Sequence, residues 1–286
     1  MIAFIKDVLA ARLDAKGQAW LAKALESARA PEKINVFLGY YSGAHKLGKQ
    51  ALALTPAEAN RLQAMDVEIS LDRWGVDEAA RTLILLEASR LPSDDFKALT
   101  IRTYQQGDSR EQESWLRSLA LLPDPERFLA TAIDACRTNI LQVFESIACE
   151  NPYPKRFFPE LNFNQLVLKS LFLGVALARV VGLKERSNAE LSRMTNDYAA
   201  EREAAGRVVP VDIWLALAPH ATPEGMKRLE RYLAHENPDH RFWAAVGLGR
   251  NRAPGAKEML TRRLPSEKDS RVARVIQDAL AGKDPQ

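Results

Sequence analysis

A stripe of polar side chains follows one side of an otherwise apolar segment, Phe163 to Leu177. Asn162, Gln165 and Lys169 fall within about 60° of one another at 100° per residue, so a helix would place them on one face. A lysine in a low dielectric must pair with a carboxylate or a ligand, because an unpaired ammonium there loses its proton. The stripe therefore predicts an ionic partner for Lys169.

The next segment, residues 188–205, offers two carboxylates for that role. Asp197 and Glu201 are four residues apart, which puts both on one face of a helix. If the two segments form a helical hairpin that turns near Leu183, Lys169 and Asp197 lie equally far from the turn. We therefore expect a polar cluster inside the helical scaffold, formed by Lys169, Asp197, Glu201, Gln165 and Arg202.

Two interpretations of this cluster stay open. Buried polar networks fix the register of helices without doing chemistry. Alternatively, the cluster lines a ligand pocket, or Asp197 and Glu201 hold a divalent metal. Further candidate ligand-binding residues lie in the irregular middle of the chain: Arg137, Asn139, Glu145, Asn151, Tyr153 and Asn164. Asn139 followed by Gln142 also fits a helix cap. No catalytic residue is assigned and no cofactor is predicted.

Other motifs that carry chemistry do not fit the sequence. The glycines at 39, 43 and 48 lack the spacing and the Lys-Ser or Lys-Thr pair of a phosphate loop. The four histidines are too scattered for a zinc signature, although His235 and His240 could approach each other across a turn. We expect these histidines to be solvated at the surface.

The charge balance disfavours a nucleic-acid partner. Forty Lys and Arg against thirty-seven Asp and Glu give a formal charge of +3, so no strong field attracts phosphates. A basic cluster near the C-terminus keeps a nucleic-acid binder as an alternative, although a solvated face is the simpler interpretation. Its members are Arg262, Arg263, Lys268, Arg271 and Arg274.

Helix start signals recur along the chain and predict an all-α fold. Thr55-Pro56-Ala57-Glu58 combines a hydroxyl cap, a first-turn proline and a glutamate that can return a bond to the cap. Similar signals occur at Asp108, Asp124, Thr222 and Asn237. The short segment Val67–Leu71 is strand-like. Short connections between helices predict an α-solenoid of stacked antiparallel hairpins.

The C-terminus carries the clearest repeat. Leu229-x-x-x-Leu233, a polar turn and Arg241-Phe242 are echoed thirty residues later by Leu260-x-x-x-Leu264 and Arg271-Val272. This pattern is similar to HEAT repeats, whose helix pairs bury their apolar faces only by stacking on neighbours. We divide the chain into residues 1–221 and a HEAT-like region, 222–286, as parts of one continuous solenoid.

The middle of the chain departs from this regularity. The two prolines of Asn151-Pro152-Tyr153-Pro154 predict a rigid, non-helical turn. The apolar tract Phe163–Leu183 approaches membrane-spanning length, but Lys169 and Arg179 interrupt it, so we expect a buried helix. Met1–Leu9 lacks the features of a signal peptide and predicts a first helix and a cytoplasmic location.

Several of these segments resemble the EboA-like family of bacterial metabolite-traffic gene clusters. The residues that carry the resemblance are Arg137-Thr138-Asn139, Asn151-Pro152-Tyr153-Pro154, FNQLVLKSLFLG from Phe163 to Gly174, and DYAAEREAAGR from Asp197 to Arg207. The resemblance is closest from about Arg102 to Trp214 and merely HEAT-like beyond Thr222. It implies a cytoplasmic helper in the trafficking or export of a secondary metabolite, encoded beside a UbiA-like prenyltransferase. It supplies no catalytic residues.

Together these observations favour a non-enzymatic helical scaffold that binds a pathway protein or a prenylated, largely apolar metabolite. A membrane prenyltransferase is one candidate partner. The main alternative is an enzyme that uses Asp197 and Glu201 with a divalent ion.

Overall fold

A computed structural model describes residues 1–29, 33–65 and 68–284, and its regular structure is helical. Its α-helices are α1 (Ile2–Arg12), α2 (Ala15–Ala28), α3 (Lys33–Leu47), α4 (Pro56–Gln63), α5 (Val76–Ala88), α6 (Ser93–Gln106), α7 (Ser109–Ser118), α8 (Leu129–Ala135), α9 (Leu141–Ala148), α10 (Tyr153–Phe157), α11 (Glu160–Leu173), α12 (Ala189–Ala204), α13 (Trp214–Leu217), α14 (Pro223–Leu233), α15 (Pro238–Gly249), α16 (Pro254–Arg263) and α17 (Ser270–Leu280). Short 3₁₀ turns occupy Leu119–Leu121, Pro125–Phe128, Leu177–Arg179, Ala218–His220 and Leu264–Ser266.

The predicted all-α fold is confirmed. Among the described residues, β-type pairing is limited to one isolated bridge between Ala51 and Gly75. Val67, where the strand-like segment begins, lies outside the described residues, and residues 68–71 form no strand. No helix in the described ranges combines the length and apolar character needed to cross a bilayer.

Most predicted helix starts are confirmed by side-chain caps. Thr55 and Asp108 each begin a helix with a complete capping box, in which a glutamate three residues later bonds back to the cap. Thr222 and Asn237 cap α14 and α15. The prediction at Asp124 is only partly right, because this residue is left-handed (φ 44°), caps no amide and precedes a 3₁₀ turn.

The chain divides into two compact units, residues 1–158 and 159–286. In the first unit α5 is the central helix, and all thirteen of its residues are buried. Helices α1, α2, α3 and α7 pack against it. A helix enclosed on every side must satisfy any polar group that it carries within the protein. The division at residue 222 that we inferred from the repeat pattern remains a proposal.

The second unit contains the helix pairs α14/α15 and α16/α17, as the repeat pattern predicts. Helices α13, α15 and α17 pack side by side. Gly247 of α15 allows this stacking, because a β-carbon there would clash with the backbone carbonyl oxygen of Trp214 and lie 2.7 Å from Cβ of Ala218. The pairs therefore bury their apolar faces against neighbouring pairs.

Two predictions about the middle of the chain are wrong. The expected helix over Phe163–Leu183 stops at Leu173, because Gly174 adopts a left-handed conformation (φ 72°) that ends it. The expected non-helical turn contains a short helix, α10, in which Tyr153 and Pro154 occupy the first turn. Proline is tolerated there since the first-turn amides need no helical acceptor.

Candidate functional site

The start of α12 lies beside the first half of α11. Asn164 of α11 and Asn188, the N-cap of α12, exchange amide hydrogen bonds of 3.2 and 3.0 Å. The guanidinium of Arg186 lies 4.7 Å from the centre of the Phe163 ring. The prediction of a hairpin that turns near Leu183 and brings Lys169 level with Asp197 is therefore wrong. Its physical cause is the early helix end at Gly174.

The predicted burial of the carboxylates is also wrong. Asp197 has a side chain 61% exposed and accepts a hydrogen bond of 2.6 Å from Arg193, which also pairs with Glu190. Glu201 is exposed as well. In the described parts of the chain, no group of three or more His, Cys, Asp or Glu side chains is arranged to hold a metal ion.

The other members of the predicted cluster are Gln165, Lys169 and Arg202. Gln165 is exposed and Lys169 is partly buried on α11. Arg202 donates two hydrogen bonds, 2.9 and 2.7 Å, to the backbone oxygen of Val208, and its guanidinium lies 5.9 Å from the ring centre of Tyr198. A ligand-binding role for these residues remains a prediction, without the shared interior site that we expected.

Helix α11 carries apolar residues on two sides and buries one of them. The buried side includes Phe163, Leu166, Val167 and Leu171. On the other side, Leu161 is 58% exposed and Phe172 is 72% exposed. Leu168 and Gln165 complete this row, whose members follow a spacing of four, three and four residues. We call Leu161, Gln165, Leu168 and Phe172 the α11 seam.

Two of the candidate residues in the first unit hold its backbone together. The amide nitrogen of Asn151 donates to the carbonyl oxygens of Leu116 (3.0 Å) and Ser146 (2.9 Å), and its oxygen accepts from the Tyr153 amide (3.0 Å). The hydroxyl of Tyr153 donates to the carbonyl oxygen of Pro125 at 2.8 Å, and burial raises the pKa of this phenol. Both side chains are buried, and these hydrogen bonds provide partners for their polar groups.

Three further candidates lie close by in sequence. Glu145 is partly buried and, with Arg117 and Asn151, lines a cavity of about 10 Å³, space for one water molecule. Arg137 and Asn139 are exposed in the loop between α8 and α9. The cap interpretation of Asn139 is wrong, because Ile140 is the N-cap residue of α9 and has no side-chain capping bond.

A buried polar cluster in the first unit was not predicted from the sequence. Asp77, Glu78 and Arg81 lie on the enclosed helix α5 and are at most 1% exposed. Asp77 accepts hydrogen bonds from Arg81 (2.7 Å) and from two nitrogens of Arg110 (2.8 and 3.1 Å). Nη1 of Arg117 lies 3.0 Å from Oε1 of Glu78. We call these residues, with Glu113, the α5 network.

Electrostatics in the α5 network follow from burial and from the three arginines. Burial raises the pKa of Glu78, and Arg117 and Arg110 offset this only in part. Burial alone would also raise the pKa of Asp77, but the hydrogen bonds and charges of Arg110 and Arg81 outweigh it and lower that pKa. Three carboxylates thus face three guanidinium groups, an arrangement that neutralises itself.

A sequence signal for this network existed. Asp77 and Arg81 are four residues apart in the segment VDEAARTLILLEA, which places charged side chains among apolar ones. The reasoning that singled out Lys169 in an apolar helix applies to Arg81 with more force, since α5 is enclosed on all sides.

The structure gives the environments of the histidines and of the C-terminal basic cluster. The surface location expected for the histidines is wrong for His240, which is 4% exposed and lies 4.6 Å from His235, centre to centre. The arginines of the C-terminal basic cluster are engaged in ion pairs: Arg262 with Glu230, Arg263 with Glu267, Arg271 with Asp239 and, at 4.0 Å, Arg274 with Asp278. Their charge is therefore partly compensated within the protein.

Comparison with known proteins gives two family matches. A family model described as metabolite traffic protein EboA matches residues 1–218. A model of HEAT repeats matches residues 207–281. No curated protein and no solved structure matches the chain. The resemblance and the HEAT-like C-terminal repeats predicted from the sequence are confirmed.

Proposed function

We propose that this chain, which belongs to the EboA family of metabolite traffic proteins, is a non-enzymatic helical binding protein that docks a pathway protein. The family match supports a role in metabolite trafficking. The finer part of the proposal is that docking serves the movement or export of a secondary metabolite from the cytoplasm. The observation that carries it is the α11 seam, in which Leu161, Gln165 and Phe172 are exposed.

The spacing of the α11 seam suits a helix from a partner. Rows of apolar residues separated by four, three and four positions form the contact line of a two-helix coiled coil. Leu161 and Phe172 lie near the two ends of α11, so the seam runs for about three turns. Gln165 is its polar member, and one polar residue in such a seam favours a single register. A partner helix would cover side chains that are now exposed to water.

The state of the carboxylates supports a role without catalysis. A general acid or base must be able to exchange its proton with a substrate. Asp77 is held by Arg81 and Arg110 inside the protein. Asp197, the sequence-based candidate for metal binding, is engaged with Arg193 at the surface. We therefore favour binding over a metal-dependent reaction at these residues.

The molecule that covers the α11 seam is the most specific part of what we propose. We assign a helix of a pathway protein, and a membrane prenyltransferase is a candidate because it would handle an apolar product. A prenylated metabolite lying directly against Leu161 and Phe172 is the alternative occupant, since apolar surface of either kind is buried with a similar gain.

Native mass spectrometry of the protein purified from its own host tests this proposal. We expect a bound protein on the wild type, and its loss from Phe172→Asp, because a carboxylate in the seam would be buried without a partner. Val208→Asp is the matched control, since Val208 is 77% exposed and lies outside the seam. A retained apolar small molecule, recognised by its mass, would identify the alternative occupant. Equal binding by wild type and Phe172→Asp would contradict the proposal.

A further inference from the structure

An open groove lies at the C-terminal end of the HEAT-like region, between α15 and α17. The groove has a volume of about 590 Å³, which is within the range of small-molecule sites. Phe242 of α15 and Val275 of α17 supply its apolar wall. The remaining lining residues are charged and belong to α17 and the segment after it: Arg271, Arg274, Asp278, Lys283 and Asp284.

The chain turns after α17, and the residues that follow the turn line the groove. Gly282 is left-handed (φ 72°), a conformation that ends helices, and the amide of Lys283 donates to the carbonyl oxygen of Asp278 at 2.9 Å. Asp284 is held by Lys184 at 2.9 Å and by Arg250 at 3.3 Å. These contacts fix the position of Lys283 beside the groove.

Two cations in the groove share one carboxylate. Arg274 lies 4.0 Å and Lys283 lies 3.9 Å from the carboxylate of Asp278, both beyond hydrogen-bond distance. Their side chains are 85% and 72% exposed. Within the described residues, neither side chain has a second ion-pair partner. In the part of the chain that the structure describes, Arg274, Lys283 and Asp278 therefore carry a net charge of +1 next to an apolar wall.

We propose that this groove binds a small anionic amphiphile, a molecule with one phosphate or carboxylate group on an apolar body. The oxyanion lies between Arg274 and Lys283, where charge-assisted hydrogen bonds replace the two long contacts to Asp278. The apolar body lies against Phe242. The inference rests on the proposed function in one respect, since it treats the ligand as a metabolite of the same pathway.

Isothermal titration of the full-length protein with octyl phosphate tests the groove. We expect saturable binding to the wild type and about tenfold weaker binding, equivalent to about 1.4 kcal/mol, in Arg274→Gln and in Lys283→Gln. Both side chains are exposed, so these variants should fold normally. Arg262→Gln is the matched control, because Arg262 is 67% exposed, pairs with Glu230 and lies outside the groove.

Further titrations separate the contributions of the oxyanion and of the apolar body to the binding affinity. Inorganic phosphate should bind much more weakly than octyl phosphate if Phe242 contacts the apolar body, and Phe242→Ala should reduce the difference. Octanoate shows which oxyanion is preferred, and either order supports an oxyanion site if both charge variants weaken binding. Absence of saturation, or equal affinity in wild type, Arg274→Gln and Lys283→Gln, would overturn the inference. Phe172→Asp should leave octyl phosphate binding unchanged, so the groove and the α11 seam succeed or fail separately.

Discussion

The indole of Trp214 donates a hydrogen bond from Nε1 to Nδ1 of His240 at 3.1 Å. Both side chains are buried, at 0% and 4% exposure. Because Nδ1 is the acceptor, the neutral imidazole carries its proton on Nε2. Protonation of Nδ1 would set two donors against each other between α13 and α15, so this contact links the charge of His240 to the packing of the second unit.

We predict that this contact makes the protein less stable in acid. Burial, with a smaller effect of His235, lowers the pKa of His240 from 6.5 to about 4. Between these values the unfolded chain binds more protons, so the stabilisation is complete above pH 6.5 and is lost as the pH falls towards 4. The difference across this window is on the order of 3 kcal/mol. An NMR titration in which His240 changes charge near pH 6.5 would contradict this.

A second prediction concerns the ion pair of Arg241 with Glu267, which are 2.9 Å apart. Arg241 lies on α15, and Glu267 lies between α16 and α17, so the ion pair joins the two helix pairs. Burial alone would raise the pKa of Glu267, but Arg241, the Asp269 amide and Arg263 lower it to about 2. The stabilisation is therefore present above pH 4.5 and is lost as the pH falls towards 2. Glu267→Gln at pH 7 should lower the free energy of unfolding by about 3 kcal/mol.

Urea denaturation measures this loss, with Glu230→Gln as the control. Glu230 is 53% exposed in its pair with Arg262, and such surface pairs contribute at most about 1 kcal/mol. Equal effects of the two substitutions would show that Arg241 and Glu267 are not coupled as the structure indicates.

The third prediction tests the α5 network. Asp77→Asn removes the charge that Arg81 and Arg110 share in the interior, and should cost about 3 kcal/mol or more because it leaves buried guanidinium charge uncompensated. Asp7→Asn, at an exposed pair with Arg61, should change stability by less than about 1 kcal/mol. Thermal unfolding followed by circular dichroism compares the two, and an unchanged melting temperature for Asp77→Asn would contradict the network.

The fourth prediction concerns the stacking of helix pairs. Gly247→Ala places a methyl group against the backbone of Trp214 and should destabilise the second unit by about 1 to 3 kcal/mol. Gly255→Ala meets no atom within 4 Å and should be neutral or slightly stabilising, since alanine favours a helix. Chemical denaturation of both variants checks this, and a stable Gly247→Ala protein would show that α13 and α15 can move apart.

Much of the fold follows from local chemistry in the sequence. Thr55 and Asp108 mark helix starts because a side-chain oxygen three residues before a free amide is enough to cap it. The C-terminal helix pairs are predicted by repeated leucines, whose spacing defines the face that each helix buries. Such signals act over a few residues and need no knowledge of tertiary contacts.

The candidate site was harder to predict, because one backbone conformation decides it. An apolar run continues past Gly174, and apolar content alone predicted a helix to Leu183. Gly174 ends α11 early and changes which residues of α12 lie beside it. The predicted position of Asp197 assumed a helix that continues to a turn near Leu183, whereas α11 already ends at Leu173. The α5 network was missed for another reason, since Arg110 and Arg117 come from a helix distant in sequence.

Photo-crosslinking from the α11 seam tests the docking role most directly. Benzoylphenylalanine at position 172 places the reactive group where Phe172 is now 72% exposed, and position 208 serves as an equally exposed control. We predict one crosslinked protein of the metabolite pathway from position 172 only, joined through an apolar face of one of its helices. The same products from both positions, or none specific to position 172, would contradict a partner-binding role for α11.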